Sequence, residues 1–365
     1  MGSVRVVNRA ILIILPCLFI SSCSNQQIVD RINLAQSAGY DLQDKRVKST
    51  ILVGNNLEKD KMTVQILETV SESSYDMIPR LQTKANKTIQ YGQMRMVLFG
   101  SDYAKKGIGP ILGSFSRDSK ITSRLQMGVA DKEASEILAA TIKSHDSLFL
   151  MNMIEKNMES GNLPRSNFHT ILYSYYGAGR DFFLPYFVTE RGLIKLDGIA
   201  LFNEDKWVAT VGIREVFIVK MLTENSRNGS FMIPLRGSDS EQYDYVLMRS
   251  ISSKASYRVI SSDSTPAISI SIKIKASVKD IPDSVRLKSR QDVSLLENEL
   301  EETLRKETED FISLCQSKKV DPLGFGDLFR SKTRNWNEEQ FQAAYSTMKA
   351  TIKIDLDIVQ TGIGK

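Results

Sequence analysis

Residues Ala267 to Lys279 alternate without a break. Ile268, Ile270, Ile272, Ile274, Ala276 and Val278 are apolar, and Ser269, Ser271, Lys273, Lys275, Ser277 and Lys279 are polar. Successive side chains of a strand point to opposite faces, so this period of two dictates a strand with one buried and one wet face. Near the end of the chain Ile352, Ile354, Leu356 and Ile358 alternate with Lys353, Asp355 and Asp357 in the same way. Half-wet strands are typical of antiparallel sheets, so the two are expected in one antiparallel sheet. The longest helical pattern lies between them. Ser294-x-x-Glu297 reads as its capping box. Leu296, Leu300, Leu304, Phe311 or Ile312, and Cys315 form a stripe suited to cover the buried face of that sheet. Glu297, Glu299, Glu301, Glu302, Arg305, Lys306, Glu307 and Glu309 make the other face charged, which reads as a solvated surface. Lys318 and Lys319 suit the helix C-terminus, and Asp321-Pro322-Leu323-Gly324-Phe325-Gly326 then turns the chain.

The earlier part mixes strands and helices. Leu34 to Asp41 reads as a strand ending in a turn. Lys48 to Val53 and Met62 to Val70 follow as a hairpin or meander. Residues 71–90 are polar and weakly periodic. A strand at Met94 to Phe99 leads through Gly100, with Ser101 as N-cap, into a helix from Tyr103 to Phe115 loosened at Gly107, Gly109 and Pro110. A strand at Arg124 to Ala130 follows, and Asp131 is expected to cap a helix from Lys132 to Lys143. Strand, helix, strand, helix implies neighbouring parallel strands. Helices are further expected from Ser147 to Met158 and from Asn167 to Tyr176. Phe182 to Thr189 is extended, and Leu196 to Phe202 with Trp207 to Val211 flank a hairpin turn at Asn203-Glu204-Asp205-Lys206. The fold class is α+β and multi-domain, with mixed or antiparallel sheets each packed with helices. A boundary is placed near residues 188–196. It divides the chain into a signal at 1–22, an N-terminal region at 23–190, which leaves room for two subdomains, and a C-terminal domain at 191–365.

The chain begins with a basic leader carrying Arg5 and Arg9, an apolar run from Ala10 to Ile20, and Ser21-Ser22-Cys23. Basic, apolar and small residues in that order read as a secretory signal. The small-small-Cys ending matches a lipobox, in which cleavage precedes Cys23 and a diacylglycerol is attached to its sulfur. The alternative is an ordinary cleaved signal with Cys23 as an incidental thiol. The apolar run is about half of the roughly 20 residues that cross a bilayer as a helix, and Pro16 interrupts it. Cleavage before Cys23 leaves 343 of the 365 residues. Net charge is +5, and +3 without Arg5 and Arg9, too mild and dispersed to argue for nucleic acid. Of the three cysteines Cys17 would leave with the signal and Cys23 would be acylated. Cys315 then has no partner for a disulfide and reads as a buried thiol.

The search for catalytic chemistry is empty. His145 and His169 have no partner at metal-ligand spacing, and no Cys-x-x-Cys, Gly-x-Ser-x-Gly or P-loop occurs. Gly107-Ile108-Gly109-Pro110-Ile111-Leu112-Gly113 reads as a loop within a helical hairpin. The acidic pairs Glu301-Glu302 and Glu338-Glu339 point to different helix faces. Tyr173, Tyr175 and Tyr176 read as packing. An enzyme is disfavoured, and no cofactor or metal is expected.

Several segments in order resemble the C-subunit lipoproteins of bacterial spore nutrient germinant receptors, the Ger(x)C family. They are Cys23 followed by Ile28-Val29-Asp30 and Gly39-Tyr40-Asp41, and Val97-Leu98-Phe99-Gly100 with Ala104-Lys105-Lys106-Gly107-Ile108. Phe115-x-Arg117-Asp118-x-x-Ile121 and Leu196-x-Gly198-Ile199-Ala200-Leu201-Phe202 with Asp205-Lys206 follow. The ending is Asp321 to Gly326, Trp336, and a last strand closing at Thr361-Gly362. The sequence departs from the family pattern at Ser24-Asn25, where many members carry Trp-Asp, and at Asn86, where many carry Gly. The resemblance implies three sheet-and-helix domains and a non-enzymatic subunit. Its lipid anchor at Cys23 would hold it at the outer face of the cell or spore inner membrane. It would assemble there with two integral membrane subunits of A and B type and serve nutrient-triggered germination. The alternative is a free-standing envelope lipoprotein that binds a solute or acts as an enzyme.

Overall fold

The computed structural model describes residues 32–58, 61–144, 146–235, 245–262, 265–282 and 285–360. The first sheet begins with β1 (Ile32–Gln43), β2 (Arg46–Glu58) and β3 (Lys61–Ser71), an antiparallel meander. After α1 (Met77–Gln82) and the short β4 (Thr88–Gln90), β5 (Met96–Phe99) pairs parallel to β1. Two short helices, α2 (Ser101–Lys106) and α3 (Gly109–Arg117), lead to β6 (Gln126–Ala130), parallel to β5 as the strand-helix alternation requires. Next come α4 (Ala134–Thr141), α5 (Phe149–Glu159) and α6 (Phe168–Tyr176), and then β7 (Phe183–Glu190), parallel to β6. The hairpins to β8 (Leu193–Asn203) and β9 (Lys206–Gly212) continue the sheet beyond residue 190. Its order is β3-β2-β1-β5-β6-β7-β8-β9, with β4 beside β1. A parallel centre is therefore flanked by antiparallel meanders.

Helix α7 (Ile213–Thr223) enters the second layer. Seven consecutive residues, Val216 to Leu222, are buried. The second sheet holds β10 (Ser230–Pro234), β11 (Tyr245–Ser261), β12 (Ala267–Asp280) and β13 (Lys349–Gln360) in that order. Between β12 and β13 run α8 (Arg290–Ser317), α9 (Phe325–Lys332) and α10 (Glu338–Tyr345). The apolar sets of both alternating strands are buried, as are Leu296, Leu300, Leu304, Phe311, Ile312 and Cys315 on α8.

Five local expectations are corrected. β12 and β13 are parallel, with Ile270, Ile272, Ile274 and Ala276 beside Ile352, Ile354, Leu356 and Ile358. Alternation reports the buried face and not the strand's direction. The 28 residues of α8, about 42 Å at 1.5 Å per residue, run back along roughly the length of β12, and β13 restarts where β12 began. The helix also starts earlier than Ser294. Ser289 Oγ accepts from the Asp292 N–H at 3.1 Å and Asp292 Oδ2 accepts from the Ser289 N–H at 2.8 Å, so this pair is the capping box. Glu297 and Glu301 then face the edge of β13 rather than water. Their carboxylates accept the N–H groups of Ile358 at 2.9 Å and Leu356 at 2.7 Å. In the first sheet Gly100, not Ser101, precedes α2, and α4 is capped not by Asp131 but by Asp41 of β1.

The first sheet has a core on each face. Val97 and Phe99 join Tyr40 and Phe202 on one side, while Met96 and Leu98 join Phe187 and Leu201 on the other. That second core is continuous with the second sheet through α7 and includes Ile270, Leu300 and Phe329.

Candidate functional site

The segments singled out by the sequence at Gly107–Gly109, Asn203–Lys206 and Asp321–Gly326 meet at one junction. The tight β8–β9 turn is its hub, with Glu204 at a φ of 53°. Asp205 accepts from the Gly109 N–H through Oδ2 at 2.9 Å and from the Ile108 N–H through its carbonyl at 2.9 Å. Gly107 sits at a φ of 130°, and a Cβ there would lie 2.5 Å from Asp205 Oδ2, so only glycine lets the α2–α3 corner close on this turn. Asn203 donates through its amide to the Lys319 carbonyl. The Glu204 N–H donates to Asp181 Oδ1 at 3.2 Å.

Asp181 carries the junction onward. Its Oδ2 accepts from the Asp321 N–H at 2.7 Å, and its own N–H donates to the Asp321 carbonyl at 2.9 Å. Asp321 is buried. Its Oδ2 accepts from the Gly326 N–H at 2.8 Å and so caps the first turn of α9, while Oδ1 has no hydrogen-bond partner among the described residues. Burial, which disfavours the charged form, pushes Asp181 up to about 6 and Asp321 up to about 7. The Asp181 carboxyl also raises Asp321, and Glu204 and Glu338 raise Asp181, against the backbone donors that pull each down. Around this pair the chain is pinned by groups from three directions. The Gly179 N–H donates to Glu338 Oε1 at 3.0 Å and the Asp327 N–H donates to the Gly179 carbonyl at 2.7 Å. Arg180 pairs with Asp327 and stacks over Tyr173 at 4.6 Å. Burial raises the Asp327 carboxyl, but Arg330 and Arg180 outweigh it and hold the group low.

Cys315 is fully buried and burial pushes its thiol up, the opposite of an activated thiolate. Among the described residues no group of three His, Cys, Asp or Glu side chains could hold a metal ion. His169 is exposed, while Cys23 and His145 lie outside the described residues. The tyrosine reading is corrected in part. Tyr173 and Tyr176 are exposed, Tyr173 serving Arg180, and Tyr175 alone packs inward against Phe182. Sequence reasoning missed Asp181, whose partners are 23 and 140 residues away. It singled out Asp41 within Gly39-Tyr40-Asp41 but missed its role as the cap of α4.

The architecture is that of an α+β protein whose two layers share a core. Among the described residues no helix is long and apolar enough to cross a membrane. The family profile described as the spore germination protein N-terminal domain matches residues 25–189, and that described as spore germination B3/GerAC-like, C-terminal, matches residues 197–362. The chain belongs to this Ger(x)C family of spore germination proteins. It is 24% identical over 360 residues to the spore germination protein GerQC of Bacillus cereus, spanning 98% of this chain and 99% of the relative. It is 18% identical over 389 residues to the putative spore germination protein YfkR of Bacillus subtilis (strain 168), spanning 98% of each. The crystal structure of the GerBC protein shares the fold with a TM-score of 0.56 at 15% identity, covering 88% of this chain and 96% of that one.

Proposed function

We propose that the chain is the lipid-anchored C subunit of a spore nutrient germinant receptor. The observation that carries this reading is the match of both family profiles in order along almost all of the chain after Cys23. The leader from Arg5 to Cys23 supports an exported, diacylated protein held at the outer face of the inner membrane. A single acyl chain holds a protein only marginally, so two chains on Cys23, together with contact to two integral membrane subunits, give stable attachment. In this reading residues 1–22 are removed, and the regions 23–190 and 191–365 present surfaces to those subunits. The role is assembly or signalling rather than catalysis. Replacement of Cys23 by Ala tests it. The expected result is an unprocessed or soluble protein and loss of germination with one class of nutrient. Full membrane partition together with normal germination on every nutrient tried would overturn the anchor, and normal germination of a deletion strain would overturn the receptor role. A ligand or reaction on the isolated chain without membrane partners would instead favour a free-standing envelope lipoprotein.

A further inference from the structure

Strands β11, β12 and β13 bury one face under α8 and α9 and turn the other outward. Their pairing register sets the outward side chains in rows. Lys254 of β11 stands opposite Lys273 of β12, and Lys273 opposite Asp355 of β13. The next row holds Ser256, Ser271 and Lys353, and the one after it Arg258, Ser269 and Thr351. Lys275, beside Asp357, and Lys349 complete the face. Six cations therefore share it with two carboxylates, and all six are exposed. Among the described residues only Lys273 of the six has an ion pair, with Asp355 at 3.8 Å. The chain without its leader carries a net +3 in all, less than the surplus of four on this face, so the remainder is close to neutral. Charges scattered along the sequence are gathered by the sheet. Asp263, outside the described residues between β11 and β12, lowers that surplus by one at most.

This arrangement works against the sheet itself. Like charges directly opposite on neighbouring strands are destabilising, and Lys254 against Lys273 is such a pair. An anion laid on the face offsets that cost. The hydroxyls of Ser256, Ser269, Ser271 and Thr351 lie among the cations and can donate to the same anion, as phosphate oxygens require. The cations spread over about 13 Å along β11 and about 10 Å across the three strands, so no single small anion touches them all, whereas a layer of phosphate headgroups does. Ile260, two residues beyond Arg258, is 62% exposed. An apolar side chain next to cations suits the boundary between headgroups and acyl chains. We propose that the open face of β11, β12 and β13 docks on a membrane surface of anionic phospholipid. The setting rests on the reading of Cys23 as a membrane tether. A lipid tether and a basic surface are paired signals that make such attachment stable, and the face then decides which side of the chain lies on the membrane.

The full chain with Cys23→Ala carries no acyl group, so its flotation with vesicles tests the face apart from the tether. One set of vesicles is phosphatidylcholine alone, and the other is phosphatidylcholine with an equal part of phosphatidylglycerol. Tighter binding to the second set is expected, falling as salt rises. Lys254→Gln, Arg258→Gln and Lys353→Gln together should weaken it about a hundredfold, at about fivefold for each cation. The same charge removed elsewhere, by Lys106→Gln, Lys156→Gln and Lys332→Gln, should cost far less. Lys254→Gln alone should leave the melting temperature unchanged or higher, because it relieves the pair with Lys273. Undiminished binding by the face variant, or an equal loss in the comparison variant, would overturn the proposal. So would binding to membranes that retain their proteins but not to the pure lipids, which would assign the face to an acidic protein. These outcomes leave the tether reading untouched. That reading fails instead if the unaltered chain is neither acylated at Cys23 nor held at the membrane.

Discussion

Two buried aspartates each cap a helix from outside it, and they do so differently. Asp41, at the end of β1, spends both carboxylate oxygens on α4, accepting the N–H of Ala134 at 2.6 Å and of Ser135 at 3.0 Å. Asp321, in the turn before α9, spends one oxygen on Gly326 and leaves the other unpartnered, beside the second carboxyl of Asp181. Burial raises both groups. The Asp41 cap is closed by two donors, so its removal should simply cost stability. Asp321 is fully buried, and its burial and the neighbouring Asp181 carboxyl outweigh the backbone donors at Gly326, Phe325 and Gly324, so its charge works against the fold whenever it is present. A buried carboxyl can thus hold two segments together through its hydrogen bonds while its ionisation is opposed by burial.

The largest expected effect lies at the backbone contact beside Asp321. A Cβ on Gly326 would stand 2.7 Å from Gly179 Cα and 2.8 Å from its carbonyl oxygen. Backbone cannot rotate away, so Gly326→Ala should force the 179–181 segment off α9 and break the Asp181–Asp321 bonds. We expect a loss of about 3 kcal/mol in denaturant unfolding. A loss under a few tenths would mean that the two segments are not packed as described.

Asp41→Ala comes next. It strips two buried N–H groups at the start of α4 of their acceptor, but it also relieves the burial of a charge. The net expected loss is about 2 kcal/mol, with earlier hydrogen exchange in α4 than elsewhere. Asp41→Asn should recover about half, since an amide oxygen can accept from only one of the two.

Much of this fold is legible in the chain. The alternation of β12 and β13 names their buried residues, and the stripe from Leu296 to Cys315 names the helix that covers them. The hairpin turn at Asn203–Lys206 and the Pro-Gly turn at Asp321–Gly326 stand where their residues predict. Other parts are hidden for physical reasons. Helix α7 is buried on all sides, so it has no amphipathic period to read. In β11 serines, lysine and arginine mask a 17-residue strand. Strand direction, set by the length of α8, does not enter a period-two pattern. The candidate site is legible only as separate turns. Their meeting depends on contacts such as Asp181 with Asp321 over 140 residues.

The smallest effect is the sharpest test of the comparison, because its sign is opposite. Asp321 is pushed up to about 7, whereas an aspartate in the unfolded chain titrates near 3.9. Between those values the folded state binds the extra proton, so stability must fall as pH rises through this window and stay low above it. Asp181, pushed up to about 6, adds to the same slope. Asp321→Asn keeps an oxygen for the Gly326 N–H and removes the charge. It should therefore raise stability by on the order of 1 kcal/mol at about pH 8, make little difference at about pH 5, and flatten the decline between them. Unfolding by denaturant at both pH values, for the wild-type chain and the variant, measures this directly. A variant less stable at about pH 8 would mean that the backbone donors at Gly324, Phe325 and Gly326 favour the Asp321 carboxylate more than its burial disfavours it.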